Sequence, residues 1–198
     1  MILKSFPLVF LFVTSAHVIS PFDDGGRSLI GTKPPEFEEI QWLTKFTIHL
    51  EELRGKVVLI RWWTGPQCPF CAPSIQALNG LSKEFGDKGL VVIGLYHHKS
   101  TRPLDEHFVA EQSRRWGIRF AVGIDKNWHN LDRWWLQTGE RNWTSVSFLL
   151  DSAGVIRYIH PGGAYSADPL DIFHTAQEDY QTLRSFVQKL LGEEQDKK

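Results

Sequence analysis

Both cysteines of this chain stand at the junction between a predicted strand and a predicted helix. Before them lie residues 56–60, KVVLI, a β-branched apolar segment that is typical of a buried strand. After them, Ile75, Leu78 and Leu81 recur at the spacing of one helix face. Cys68 and Cys71 therefore lie where a strand ends and a helix begins. This junction restricts the folds open to the chain more than any other feature.

The spacing of the two cysteines favours a disulfide that can open and close. Residues three apart share a helix face, with Cβ atoms ~5–6 Å apart, and a disulfide needs ~3.5–4.5 Å between them. A modest adjustment therefore closes the bond. The free N–H groups and partial positive charge of a helix N-terminus stabilise a thiolate, so we expect the pKa of Cys68 to lie below that of a free thiol. Because so short a loop adds little stability through chain entropy, we interpret the pair as a redox dithiol.

Two other kinds of site compete with a redox dithiol at these cysteines. A zinc site needs a second pair of ligands, but the chain has no other cysteine, and His97, His98 and His160 do not show ligand spacing. Two inert core cysteines fit the flanking Gly, Pro and strand-to-helix setting less well. We therefore expect a dithiol that reacts and no bound metal.

Apolar patterns along the rest of the chain predict an alternation of strands and helices. The predicted strands are 56–63, 90–96, 120–124, 146–150 and 155–159, and the predicted helices are 71–85, 103–116, 128–136 and 169–191. A tight turn at 151–154 makes the last two strands a hairpin, and apolar patches within 36–54 suggest another small one. The predicted fold class is therefore α/β, with a central mixed β-sheet flanked by helices and an N-terminal β-hairpin extension. A CxxC pair in such a pattern is typical of the thioredoxin-like fold.

The net charge bears on which partners such a domain binds, and the N-terminal segment bears on the compartment in which it works. The net charge is −1, with acids and bases interspersed, which argues against an electrostatic nucleic-acid binder.

We interpret residues 1–20 as a signal peptide or N-terminal anchor, because an apolar run follows Lys4 but is shorter than the ~20 residues of a membrane-spanning helix. A leader loop is expected over 21–35, the folded domain over 36–192 and a charged tail over 193–198. The folded part is expected to be exported.

Four motifs give the chain a resemblance to a known family. They are GTKPPEF at 31–37, LRGKVVL at 53–59, CPFC at 68–71 and FLLDSAGVI at 148–156. Together they resemble the thioredoxin-like, exported redoxins of the TlpA/ResA type. The resemblance implies a thiol-disulfide oxidoreductase that needs no cofactor and works in the periplasm or another extracytoplasmic compartment. Its implied partners are protein thiols or disulfides and an upstream membrane or soluble electron donor.

The resemblance also implies roles for individual residues. Together with the helix-end argument, it makes Cys68 the attacking thiol and Cys71 the resolving thiol of a redox-active disulfide. Trp63, Pro69 and Phe70 are expected to shape the active site around them.

The chain departs from the family in three places. The approach to Cys68, residues 64–67, is one residue longer, and Arg61 falls where thioredoxins place a buried acid that assists proton transfer. Ser145 stands where the family has a cis-proline. A cis bond before any other residue costs ~2.5–4 kcal/mol, so we expect either a strained cis Thr144–Ser145 bond or a trans loop. These two residues either offer backbone groups to an extended substrate or form an ordinary polar turn.

Two other functions fit the same fold. A thiol peroxidase uses a Pro-x-x-x-Thr/Ser-x-x-Cys frame, but here Gly65 occupies the hydroxyl position and Thr64 comes one residue too early. A non-catalytic binding module is the other alternative, and measurable disulfide exchange would exclude it. Among the histidines, His97 and His98 follow a strand on the side of the sheet where α/β sites lie; they either tune a thiolate or, as we expect, lie in a solvated loop, and His160 is expected in a turn.

Overall fold

The fold is that of a computed structural model, which describes residues 25–139, 141–170, 172–173 and 175–196. The predicted signal peptide or anchor at 1–20 lies outside the described residues, as do the last two residues of the charged tail. In the described part of the chain, no helix has both the length and the apolar character needed to cross a membrane.

In the described residues, one mixed sheet of six strands forms the centre of the fold. The strands are β1 (Ile40–Trp42), β2 (Val57–Trp63), β3 (Leu90–His97), β4 (Ala121–Asp125), β5 (Ser147–Leu150) and β6 (Ile156–His160), in the spatial order β1-β4-β3-β2-β5-β6. β2, β3 and β4 run parallel, whereas β1, β5 and β6 each pair antiparallel with a neighbour. The predicted mixed sheet and its late hairpin are confirmed.

Helices cover both faces of this sheet. They are α1 (Cys71–Phe85), α2 (Glu106–Arg115), α3 (His129–Trp134) and α4 (Ala176–Gln195). Alternate residues of β2 point to opposite faces: Ile60 and Trp62 pack with α3 on one face, while Leu59 packs with α1 and α4 on the other. This double cover explains why every residue of β2 is buried and why the strand reads as a continuous apolar run in sequence.

The predicted N-terminal hairpin at 36–54 is wrong. This segment contributes one short strand, β1, which pairs with β4 at the sheet edge. The reason is a hydrogen bond that local patterns do not reveal: the Glu36 carboxylate accepts from the backbone N–H groups of Leu50 and Glu51. These bonds hold the start of a 3-10 turn at Leu50–Leu53, and the apolar patch at 46–48 before it, expected in the second strand of the hairpin, forms no strand.

The predicted helix at 128–136 is broken into short pieces around α3. Its organising residue is Asp125, a buried carboxylate that accepts hydrogen bonds from the backbone N–H groups of Asn130 and Leu131. To reach this position the chain turns sharply, and Asn127 and Trp128 adopt left-handed φ values of 53° and 62°. Hydrogen bonds to this one carboxylate therefore determine where α3 begins.

The last helix begins later than predicted, at Ala176 instead of residue 169. In the loop before it, the backbone N–H of Asp168 donates to Ser166 Oγ, and the N–H of Leu170 donates to Asp168 Oδ1. Such local side-chain bonds compete with helix formation. The loop that follows brings Phe173 against the ring of Phe70, the residue before Cys71.

Candidate active site

Cys68 and Cys71 form a disulfide at the start of α1, with Cα atoms 5.6 Å apart. Cys71 is the first residue of α1 and is fully buried, while Cys68 in the preceding turn is partly exposed. No side chain caps the N-terminus of this helix, so its partial positive charge acts on the sulfur atoms. A reacting molecule therefore reaches Cys68 first, and Cys71 lies behind it.

An open cavity of about 500 Å³ exposes Cys68. Besides Cys68, four of the predicted site residues line it, namely Pro69, Phe70, Thr144 and Ser145. Ser145 is closest to the chemistry, because its Oγ lies 3.6 Å from Cys68 Sγ and 3.9 Å from Cys71 Sγ. The described peptide bonds are all trans, so of the two conformations expected for the Thr144–Ser145 bond the trans loop is the one observed.

Trp63 lies in the interior, behind the cysteine pair. It does not line the cavity but packs in the interior with Cys71, against the rings of Tyr96 at 5.0 Å and Trp116 at 5.5 Å. The reason is strand alternation, which points residue 63 of β2 beneath α1. Trp63 thus supports the buried cysteine from within and does not face the substrate.

The rim of the cavity carries an aromatic cluster that the sequence patterns did not reveal. The Phe70 ring lies 5.7 Å from that of Trp143 and 5.0 Å from that of Phe173. Trp143 is 50% exposed, which is unusual for so large an apolar side chain. The available signal was a tryptophan in a polar turn directly before Thr144. These three rings form an apolar surface beside the reactive sulfur, called the aromatic rim below.

A buried cation lies on the sheet face that α1 covers. Arg61 donates from Nη1 to Ser147 Oγ at 3.2 Å and from Nη2 to the Gly163 carbonyl at 2.8 Å. Its guanidinium stands 4.7 Å from the centre of the Tyr165 ring. Burial lowers the pKa of Arg61 from its usual value, and Tyr165 partly opposes that shift. Arg61 thus places a buried cation at the position where thioredoxins have a buried acid.

Two histidines are more buried than expected. His97, predicted in a solvated loop, ends β3 and is fully buried, with its ring 5.2 Å from that of Trp128. Burial, aided by Lys99, lowers the pKa of His97 to about 3. His160, predicted in a turn, ends β6 with its Nε2 3.5 Å from Asp179, and burial lowers its pKa. Neither ring lines the cavity at Cys68.

His98 is only partly buried, and its ring nitrogens meet the Tyr96 hydroxyl and the Arg102 carbonyl. In the described part of the chain, no three His, Cys, Asp or Glu residues are grouped to hold a metal ion.

Known proteins similar to this chain share its sequence pattern. A model described as the AhpC/TSA family matches residues 30–159. The protein DipZ of Mycobacterium tuberculosis is 28% identical over 180 residues, which cover 88% of this chain and 23% of DipZ. The thiol-disulfide oxidoreductase ResA of Halalkalibacterium halodurans is 26% identical over 117 residues, which cover 59% of this chain and 60% of ResA. The chain therefore spans less than two thirds of the length of either relative.

A solved structure shows the same fold. The putative thiol:disulfide interchange protein DsbE from Chlorobium tepidum superposes with a TM-score of 0.63 at 20% identity, over 82% of this chain and 97% of that one. The thioredoxin-like fold that the four motifs implied is thereby confirmed.

Proposed function

This chain belongs to the AhpC/TSA family, whose model matches residues 30–159, and on that premise we propose that it exchanges thiols and disulfides with other proteins through Cys68 and Cys71. The observation that carries the proposal is the geometry of the pair: a disulfide at a helix N-terminus, with Cys68 in an open cavity and Cys71 buried behind it. The relatives named ResA, as thiol-disulfide oxidoreductases, support the same chemistry.

The two cysteines have different roles because only one can be reached. In the reduced protein the Cys68 thiolate attacks one sulfur of a partner disulfide, and the other partner sulfur leaves as a thiolate. The buried Cys71 then attacks Cys68, which re-forms the internal bond and releases the reduced partner. Run backwards, the same steps oxidise a partner dithiol.

The substrate is proposed to lie along residues 142–145 and against the aromatic rim. The trans Thr144–Ser145 loop borders the sulfur atoms, and Trp143 offers exposed apolar surface next to it. An extended segment of a partner protein fits such a combination of backbone groups and apolar contact. Electrons are proposed to come from an upstream membrane or soluble donor.

Trapping of a mixed disulfide tests this function. Cys71→Ser should accumulate a Cys68-linked adduct with its partner, because the thiol that resolves the adduct is gone, and non-reducing gels with mass spectrometry would identify it. Cys68→Ser and the double variant are the matched controls and should trap nothing. Adducts in Cys68→Ser would show that Cys71 is the attacking thiol, which would reverse the two roles. If the wild type carried out no disulfide exchange, the chain would instead be a non-catalytic binding module. Hydrogen peroxide consumption lost in Cys68→Ser would favour the thiol peroxidase.

The folded part of the chain is proposed to work outside the cytoplasm. Support comes from the apolar run that follows Lys4 within residues 1–20, which has the pattern of a signal peptide or anchor. Labelling of the cysteines in intact cells with a membrane-impermeant thiol reagent tests the location. Labelling only after lysis would contradict it.

A further inference from the structure

Arg61 is a fully buried charge beside which the described residues place no carboxylate. Its contacts are the Ser147 hydroxyl, the Gly163 carbonyl and the face of the Tyr165 ring, all of them neutral. Its Nε has no hydrogen-bond partner, and none of its neighbours in the described part of the chain is an Asp or Glu. A buried charge without a counter-charge is costly in free energy. We therefore expect a state of the protein in which a negative charge forms near Arg61.

Two independent routes connect this charge to the disulfide. Along β2, Leu59 belongs to the same core cluster as Leu78 of α1, and Trp63 belongs to that of Cys71, so Arg61 stands between them on the face of the sheet that α1 covers. Across the sheet, Arg61 pairs with Ser147, which follows Ser145 by two residues and at most ~7 Å of chain. Ser145 Oγ contacts both sulfur atoms.

We propose that Arg61 is an electrostatic positioning residue whose charge stabilises the thiolate that forms when the Cys68–Cys71 bond is reduced. The inference rests on the proposed exchange function and gives it a direction. Since a fixed cation favours the reduced, anionic form of the pair, it makes the disulfide easier to reduce and the protein a stronger oxidant.

Each step of the exchange conserves charge and electrons. A partner thiolate attacks Cys68, the Cys68–Cys71 bond breaks, and Cys71 leaves as a thiolate, so one negative charge passes from the partner to the buried cysteine near Arg61. The second partner thiol then gives up its proton to Cys71 and attacks its own linked sulfur. The partner disulfide forms and Cys68 leaves as the thiolate. The partner dithiol thereby loses two electrons and the protein gains them.

Other titratable groups near Arg61 do not supply the missing negative charge. Burial raises the pKa of Tyr165, which keeps its hydroxyl neutral. His160 lies edge-on to Tyr165 from β6, and burial lowers its pKa. Asp179 of α4 is the nearest acid in this chain of contacts, and it pairs with His160. The cysteine sulfurs therefore remain as the groups whose charge changes during the reaction.

Equilibration with glutathione tests the inference. Arg61→Met removes the charge but keeps much of the apolar stem, Arg61→Lys keeps the charge, and Arg54→Met removes an exposed arginine as the matched control. Arg61→Met should shift the equilibrium at least tenfold toward the disulfide, which corresponds to about 30 mV. It should also raise the thiol pKa, read from thiolate absorbance, by about one unit. Arg61→Lys and Arg54→Met should stay near the wild type.

A merely structural role for Arg61 gives a different result. It would destabilise the oxidised and reduced forms alike, whereas the proposal predicts that Arg61→Met lowers the melting temperature of the reduced form relative to the oxidised form. An equilibrium constant and thiol pKa unchanged in folded Arg61→Met would overturn the proposal. If Arg61→Met does not fold, the guanidinium ¹⁵N signals of wild-type Arg61 must shift as the cysteines titrate, and constant signals would overturn it. Failure of the wild type to equilibrate with glutathione would instead refute the proposed function.

Discussion

Ser145 is the side chain whose removal should change the chemistry of the dithiol most directly. Its Oγ lies 3.6 Å from Cys68 Sγ, so in the reduced protein its hydroxyl is placed to donate to the thiolate. Hydrogen bonds to charged groups contribute about 1.5–3 kcal/mol, and the long distance to sulfur places this one at the lower end. At about 1.4 kcal/mol per pKa unit, Ser145→Ala should raise the pKa of the Cys68 thiol by about one unit.

The effect on reaction rate has two opposing parts. Below the thiol pKa, a rise of one unit lowers the thiolate fraction about tenfold, while each thiolate becomes roughly threefold more nucleophilic because the Brønsted coefficient is ~0.4–0.5. Ser145→Ala should therefore react about three- to fourfold more slowly with iodoacetamide at pH values below the thiol pKa. Above the pKa, where both proteins are fully ionised, it should react roughly threefold faster.

Alkylation rates measured across a range of pH in the reduced proteins would show this crossing of the two profiles. Ser185→Ala is the matched control, because that hydroxyl donates to the Thr182 carbonyl on the exposed side of α4. Its profile should superimpose on that of the wild type. A Ser145→Ala profile that also superimposes would refute the hydrogen bond from Ser145 to the thiolate.

Two further predictions concern the buried histidine and the aromatic rim. The pKa of His97 is about 3 in the folded protein, chiefly because of burial, and ~6.5 in an unfolded chain. As the pH falls from about 7 to about 5, the unfolded state therefore binds a proton at His97 that the folded state excludes. Over this range His97 alone should lower the free energy of unfolding by about 2 kcal/mol. In urea titrations at several pH values, the free energy of unfolding of His97→Phe should lose this pH dependence, whereas that of the control His107→Phe, at an exposed histidine, should keep it. Equal pH slopes in the two variants would contradict the burial argument. Trp143→Ala should raise KM for peptide disulfides several-fold at unchanged thiol pKa, whereas Phe46→Ala, an exposed aromatic outside the cavity, should not; an unchanged KM in Trp143→Ala would place the substrate elsewhere.

The redox centre and the main sheet could be predicted because local patterns encode them. The apolar run of β2, the Cys68–Cys71 spacing and the helical repeat of α1 each follow from neighbouring residues. The same holds for the late hairpin of β5 and β6.

Features that depend on particular side-chain contacts could not be predicted in this way. The bonds of Glu36 to Leu50 and Glu51 replace a predicted hairpin, and the aromatic rim joins Phe70 to residues from two later loops. These contacts link segments far apart in the chain, so no local window contains them. The bonds of Asp125 that set the start of α3 are local, but the left-handed backbone before them falls on Asn127 and Trp128, where no glycine indicates it.

The segment before β1 has a consequence for how the protein meets other polypeptides. The Gly31 N–H donates to the Ile156 carbonyl, and the Ile156 N–H donates to the Thr32 carbonyl, so this segment pairs with the first residue of β6. An uncovered outer strand is a template on which a foreign chain can add itself, either as a ligand or as the start of an aggregate. At the opposite edge β1 offers only three residues. Among the described residues, the two sheet edges thus leave only short stretches of strand for another polypeptide to extend, whereas the proposed substrate site is the loop beside Cys68.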